Sequence, residues 1–371
     1  MNQTAPSGQA PFVVADAIAP RRRLFGHALL ALATLILVTI ALLQVLDASG
    51  AVAIGFPNWR LLLYAYLLWA IVLGAWQVIA RGYIGQRALF VLPAALFTLA
   101  VAIFPTLFGF YIASLDWNLS SAEGPHFNGL RNFVAMFHDP YYWNALLNMA
   151  FYLFAVIVEY AIAFGLALLL NAEIRARKFF RVAFLLPFML SPVAVSWMVG
   201  KSLMEYRFGP AARLARDLGW HTPAFFANPW TARVSIEAMD AWVSIPFIMI
   251  LLLAGLQAMP KEVTEAAKVD GANGWQAFWR VTFPMMLPVS ITAVVIRIIF
   301  KLKLADIVIN VTSGGPGGAT DTVSSFIYRV YRDRSNVGYG TALAMFYLVL
   351  IIIFLTVLLR VTRRWTRSVN D

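Results

Sequence analysis

Residues 259–284 read MPKEVTEAAKVDGANGWQAFWRVTFP, a polar and charged insert between two long apolar runs. Connections between packed helices usually take about 2–8 residues, so a link of this length carries structure of its own. Pro260 suits a helix start, and Glu262 and Glu265 place negative charge near that end, where the helix dipole favours it. Gly271 can take the left-handed backbone that ends a helix. Asn273, followed three residues later by Gln276, has the form of a capping box for a second short helix. Pro284 and Pro288 mark the return into apolar sequence. The segment therefore predicts a helix–turn–helix on the cytoplasmic surface of a membrane. Ala266, Ala267, Gly271 and Ala272 give it a small-residue face, and Glu265 and Asp270 offer carboxylates to a partner's Arg or Lys. An amphipathic helix resting on lipid headgroups is the other reading of the same residues.

Outward from this insert lie apolar runs at about 24–46, 61–80, 88–114, 145–170, 181–204, 236–258, 284–306 and 341–360, each near the ~20 residues that cross a bilayer as a helix. The 371-residue chain is 61% hydrophobic and only 13% charged, against about half and a quarter in soluble domains. That excludes a water-soluble enzyme, and it excludes disorder, which needs the opposite balance. The expected fold is an all-α polytopic membrane protein with about eight transmembrane helices. Residues 1–23 read as a polar cytoplasmic tail, and 361–371 as a second one. Ala51-Val52-Ala53 looks like a signal-peptidase site, but the run at 24–46 exceeds the roughly 7–15 residues of a signal-peptide core.

The net charge is +11. The basic residues gather in short segments between apolar runs, notably Arg21–Arg23, Arg81 with Arg87, Arg175 to Arg181, and Arg360 to Arg367. This pattern places both termini inside by the positive-inside rule. No RNA-binding aromatic motif or zinc-finger spacing accompanies them, so nucleic acid is not an expected partner. Cysteine is absent, which excludes disulfides, thiolate metal sites and cysteine nucleophiles. The four histidines (27, 126, 138 and 221) are scattered, so no metal site is expected. No nucleophile elbow occurs and no catalytic residue is proposed. Gly200-Lys201-Ser202 imitates the end of a phosphate-binding loop, but Val195 stands where the first glycine belongs.

Charges at mid-membrane cost about 2.5–3.5 kcal/mol each on insertion scales, so those present need water or partners. Glu159 lies midway along the fourth run, Glu237 and Asp240 open the sixth, and Arg297 and Lys301, four apart, share a face of the seventh. Two readings stand side by side. In one, Asn148, Tyr152, Glu159, Ser196, Trp197, Trp242, Ser244 and Arg297 line a hydrophilic pathway for substrate. In the other, the charges pair with each other or with a second subunit to fix helix packing. Lys301-Leu302-Lys303 could suit an anionic substrate, or could snorkel towards the surface.

The insert also carries a resemblance. Glu265-Ala266-Ala267, then Gly271 after three intervening residues, and Val281, Thr282, Phe283 and Pro284 after nine more, resemble the EAA loop of ATP-binding-cassette (ABC) importer permeases, with Val281 and Phe283 as apolar exchanges. The fuller form with Asp270 and Ala272 is similar to the carbohydrate branch. Gly129-Leu130-Arg131-Asn132-Phe133, Arg181 with Pro187, Pro246-Phe247, Ala254-Gly255-Leu256, and the run from Thr312 to Thr320 agree with it. The resemblance covers about 88–360, the expected six-helix permease core. Residues 24–87 then form an accessory N-terminal pair, as in the large permease subunit of maltose-type importers. It implies a binding-protein-dependent importer subunit in a bacterial inner membrane, forming half of the pathway for a sugar, polyol or glycerol-like substrate. The implied partners are a cytoplasmic ABC ATPase dimer, a second permease chain and an extracytoplasmic solute-binding protein. The chain would bind no cofactor, with ATP and Mg on the ATPase. Glu265 would pair into the ATPase groove, Ala266 and Ala267 would pack closely against it, and Gly271 would make the bend. An ion-coupled secondary transporter using Glu159 is the competing function, but such carriers are built from repeats, and none is visible here.

Overall fold

The structure is a computed structural model that describes residues 19–48, 54–172 and 175–370. The tail up to residue 18 and the Ala51–Ala53 tripeptide lie outside the described residues. The chain divides into two compact units, Met1–Tyr111 and Ile112–Asp371. The third apolar run therefore groups largely with the first two, whereas the sequence reading draws its boundary at residue 87.

In the first unit, α1 (Pro20–Ala48) lies beside α2 (Arg60–Thr98). Trp69 Nε1 donates to Thr34 Oγ1 at 3.0 Å, and His27 meets Trp76 edge-on. α2 is interrupted at Gly82 (φ 56°, ψ −130°), between Arg81 and Arg87. The break separates two membrane-length segments, Arg60–Gly82 and Ile84–Ala113, the second of which contains α3 (Phe104–Ala113).

The second unit begins with a hairpin that an all-helical reading does not contain. β1 (Leu115–Asp116) pairs antiparallel with β2 (His126–Phe127), Leu115 facing Phe127. After α4 (Arg131–Phe137) come the long helices α5 (Pro140–Asn171) and, further on, α9 (Pro229–Ala258). Both start with proline in the first turn. Asp139 and Asn228 accept from the Tyr141 and Trp230 amides at 2.9 Å, filling donors that a helix end leaves open.

Between them the fifth run is not one straight crossing. α6 (Arg177–Leu185), a tight turn at Pro187–Met189, α7 (Pro192–Val195) and a wide helical stretch Ser196–Leu203 form two arms bent by 94°. Pro187 and Pro192 cannot donate to a continuous ladder, and Ser191 caps the new arm by accepting from the Ala194 amide. The described residues thus hold seven helices of membrane-crossing length and composition, or eight if the bent pair is one span.

α8 (Pro210–Asp217) follows the bent pair, and α10 (Lys261–Val269) and α11 (Gly274–Ala277) form the polar insert. α12 (Phe283–Lys301), α13 (Asp306–Val311), α14 (Val323–Arg332) and α15 (Val337–Asn370) complete the unit. Within a bilayer, apolar burial between helices gains little, so close packing and interhelical polar links carry cohesion. Three buried groups supply the packing. Ala163, Ala167 and Phe164 of α5 meet Leu252 and Leu256 of α9 and Met286 of α12. Tyr142 and Met149 meet Phe326 and Leu343, and Tyr152 meets Ile236, Ile307 and Val308.

Candidate functional site

The insert folds as its residues suggest. Pro260 precedes α10, Gly271 has φ +78°, and Asn273 and Gln276 exchange both bonds of a capping box, at 2.9 and 3.0 Å. A Cβ at Gly271 would meet nothing within 4 Å, so glycine is required by its backbone angle and not by space. Glu265, Ala266, Asp270 and Gly271 are exposed, Ala272 is half-buried, and Val269 is 87% exposed. Ala267 departs from the expected small-residue face. It is turned into its own chain at 8% exposure, because α10 rests that side on the helical segment leading into α12. Phe278, in the wide turn Phe278–Thr282, stacks edge-on against Phe164 of α5 and joins the α5–α9 core. Pro284, half-buried, stands in the first turn of α12. A movement of the insert is thereby fastened to the helices behind it.

Among those helices lies a buried ion cluster. Glu159 on α5 receives Arg297 Nε and, at 2.8 Å, Arg297 Nη2, both from α12. Arg297 also pairs with Asp240 on α9. Lys301, fully buried, donates to Glu159 at 2.8 Å, to Glu237 at 2.6 Å and to Asp240. Three carboxylates and two cations thus pin three helices together. The carboxylate oxygens are close enough to hold a metal ion, but the place such an ion would take is filled by Lys301 Nζ, which reaches all three. Lys301 is for the same reason closed to an anionic substrate, whereas Lys303 is exposed.

A second network fixes the glycine-rich loop. Asn144 donates to the Gly318 carbonyl at 2.7 Å, and Asn148 to the Gly318 and Asp321 carbonyls at 3.0 Å. Arg233 Nε reaches Asn148 Oδ1 at 3.0 Å and the Ala319 carbonyl at 2.7 Å. Tyr152 lies 3.4 Å from the Thr320 carbonyl. Asp321 pairs with Arg329 and accepts from Ser325. Burial pushes the Asp321 carboxyl above its ordinary value, with the Arg329 guanidinium opposing the rise. Gly314 has φ +85°, and a side chain there would run into the Asp321 carboxylate.

The residues expected to line one pathway are thus divided. Glu159 and Arg297 sit in the ion cluster, and Asn148 and Tyr152 hold the glycine-rich loop. Ser196 is buried and donates to the Pro192 carbonyl at 2.7 Å. Trp197 and Trp242 are 60% and 42% exposed, and Ser244 is half-buried on α9. Asn144, Arg233, Asp321 and Arg329 belong to the second network without having been singled out. The four-residue spacing of Asn144, Asn148 and Tyr152 on α5 was the available signal. Asp116, His126, Phe127, Asn128, Gly129 and Arg131 line a cleft of about 500 Å³ at the hairpin.

The chain matches the family described as "Binding-protein-dependent transport system inner membrane component" over residues 10–367. It is 32% identical to the trehalose/maltose transport system permease protein MalF of Thermococcus litoralis, over 74% of this chain and 92% of that protein. It is 31% identical to the sulfoquinovosyl glycerol transport system permease protein SmoG of Agrobacterium fabrum, over 76% and 92%. The fold is similar to a chain in the crystal structure of a bacterial alginate ABC transporter in complex with alginate pentasaccharide-bound periplasmic protein. The TM-score is 0.63 at 21% identity, covering 84% of this chain and 99% of that one.

Proposed function

The chain belongs to the family of binding-protein-dependent transport system inner membrane components, and on that premise we propose that it forms half of a translocation pathway driven by a separate ATPase. It is an ABC transporter permease of the sugar-transport type and a multi-pass membrane protein. The finer reading is ours. The α10–Gly271–α11 insert docks into a cytoplasmic ATPase dimer that holds ATP and Mg. A second permease chain of different sequence completes the pore, and an extracytoplasmic solute-binding protein delivers the substrate. Both termini face the cytoplasm, the pair at 24–87 is accessory, and the chain itself performs no catalysis.

The observation that carries this reading is the exposed edge of the insert, with Glu265 and Asp270 free of ion pairs among the described residues and with Ala266 beside them. A groove bearing Arg or Lys fits that edge. Nucleotide-driven closure of the ATPase would move the insert, and Phe278 and Pro284 would transmit the movement to α5 and α12 as a rigid-body switch. A sugar, polyol or glycerol-like substrate is supported by the names of the relatives, and a neutral one by the closure of Lys301 to anions. The ion-coupled alternative finds no support in the geometry, since Glu159 is held by two cations.

The test is affinity capture of the assembled transporter from its native membrane. Glu265→Lys is expected to lower recovery of the ATPase by about ten-fold, the effect of ~1.4 kcal/mol in a charge contact. Undiminished recovery would remove Glu265 from the docking contact.

A further inference from the structure

α5 ends at Asn171 and α9 at Ala258, and between these two span ends the cations Arg175, Arg177, Lys178 and Arg181 follow closely on one another. Among the described residues, the acceptors of Arg177 and Arg181 are neutral. Arg177 Nε donates to the Leu170 carbonyl. With the Gln257 amide turned so that its oxygen faces them, that single oxygen accepts from Arg177 Nη2 at 2.9 Å and also from Arg181 Nη2. Arg181 Nε is buried without a partner. Arg175 and Lys178 are exposed and pair with no carboxylate among the described residues.

Two guanidinium groups drawn onto one amide oxygen repel each other, and near the edge of an apolar slab that repulsion is weakly screened. An anion bridging them would turn it into attraction, and a phosphate oxygen pair suits guanidinium donors. The surroundings name the source of the phosphate. Phe179 and Val182 on α6 are 68% and 62% exposed, so apolar side chains flank the cations at the level where two spans end. This is the composition that meets a lipid headgroup and its acyl chains together.

We propose that Arg177 and Arg181, with Arg175 and Lys178 around them, bind the phosphate of an anionic phospholipid in the inner leaflet. Gln257 stands two residues before Met259, so the bound lipid borders the base of the insert. The lipid would hold α6 against α9 at the point from which α10 departs.

The experiment reconstitutes the assembled transporter in nanodiscs of phosphatidylcholine alone or mixed with phosphatidylglycerol, and counts retained lipid by native mass spectrometry. Wild type is expected to retain phosphatidylglycerol over phosphatidylcholine by about five-fold or more, from roughly 1 kcal/mol per interfacial cation. Arg177→Gln with Arg181→Gln should abolish that preference. Because this pair also ties α6 to α9 and risks misfolding, Arg175→Gln with Lys178→Gln is measured beside it, and should lower the preference by about five-fold or more while the complex stays assembled. Equal retention of the two lipids by wild type would overturn the proposal, as would a preference that survives in both variants. Displacement of the lipid by millimolar inorganic phosphate would assign the site to a soluble anion. Crosslinking of positions 175 and 178 to a partner subunit, with no lipid retained, would assign it to a protein contact.

Discussion

Lys301 has no exposed side-chain surface, and its ammonium reaches Glu159, Glu237 and Asp240 at once. Removing one member of such a group leaves the others buried without compensation, which costs about 3–5 kcal/mol. Lys301→Met is therefore expected to lower the unfolding free energy of the purified transporter by about that amount. Lys303→Met, at an exposed position two residues on, should stay within about 0.5 kcal/mol. Thermal or denaturant unfolding in detergent measures both, and equal effects would mean that the cluster contributes nothing particular. Gly271 is a contrasting case. Its Cβ position is open, so only the backbone angle of +78° resists substitution. Asparagine tolerates that angle better than a bulky side chain does. Gly271→Asn should keep most substrate uptake, whereas Gly271→Trp should lose it while the protein still inserts. Normal uptake by Gly271→Trp would exclude the bend from coupling.

At the scale of elements, the insert was the most legible part of the chain. A proline start, a glycine stop and an Asn–Gln capping pair act over three or four residues, so local sequence suffices to specify them. Asn273→Ala, which removes the capping bond, should cost about 1 kcal/mol and speed amide exchange in α11 with the long helices unaffected. Exchange unchanged at Gln276 would show that α11 is held by Phe278 packing alone. The starts of α5 and α9, at Pro140 and Pro229, lie five and seven residues before the apolar runs expected at 145 and 236, because Asp139-Pro140 and Asn228-Pro229 begin a helix ahead of its apolar stretch. The relation between elements was not legible. Arg297 and Lys301 visibly share a face, but nothing local announces that their partners sit on α5 and α9. The engagement of Asn148 and Tyr152 with the glycine-rich loop is not visible locally either, since polarity in a span has two explanations and that loop lies 168 or more residues away in sequence. Ala267 faces inward through packing that the alanine itself does not encode. The bend in the fifth span needed both Pro187 and Pro192 to be weighed against an otherwise continuous apolar run.

For the whole molecule, the first two spans make the sharpest question. Deletion of residues 1–87 is expected to leave ATPase capture and substrate uptake intact, measured together in membranes. An assembled complex without uptake would place that pair in the transport cycle. A cut at residue 111 would behave differently. It falls beside Ala113 and Leu115, whose carbonyls accept from Asn132 at 2.9 and 2.8 Å, and so strips the lead-in to the second unit. The ion cluster also bears on how the chain is made. Its three acids lie on α5 and α9, which leave the ribosome before α12 brings both bases. Until then the acids have no counter-ions, and α12 alone would carry two charges into lipid at about 5–7 kcal/mol. Of the three helices of the cluster, the last to be made is thus the one that gains most from a bundle already in place. A nascent chain stopped after α9 would hold three carboxylates without the two cations that pair with them in the finished chain.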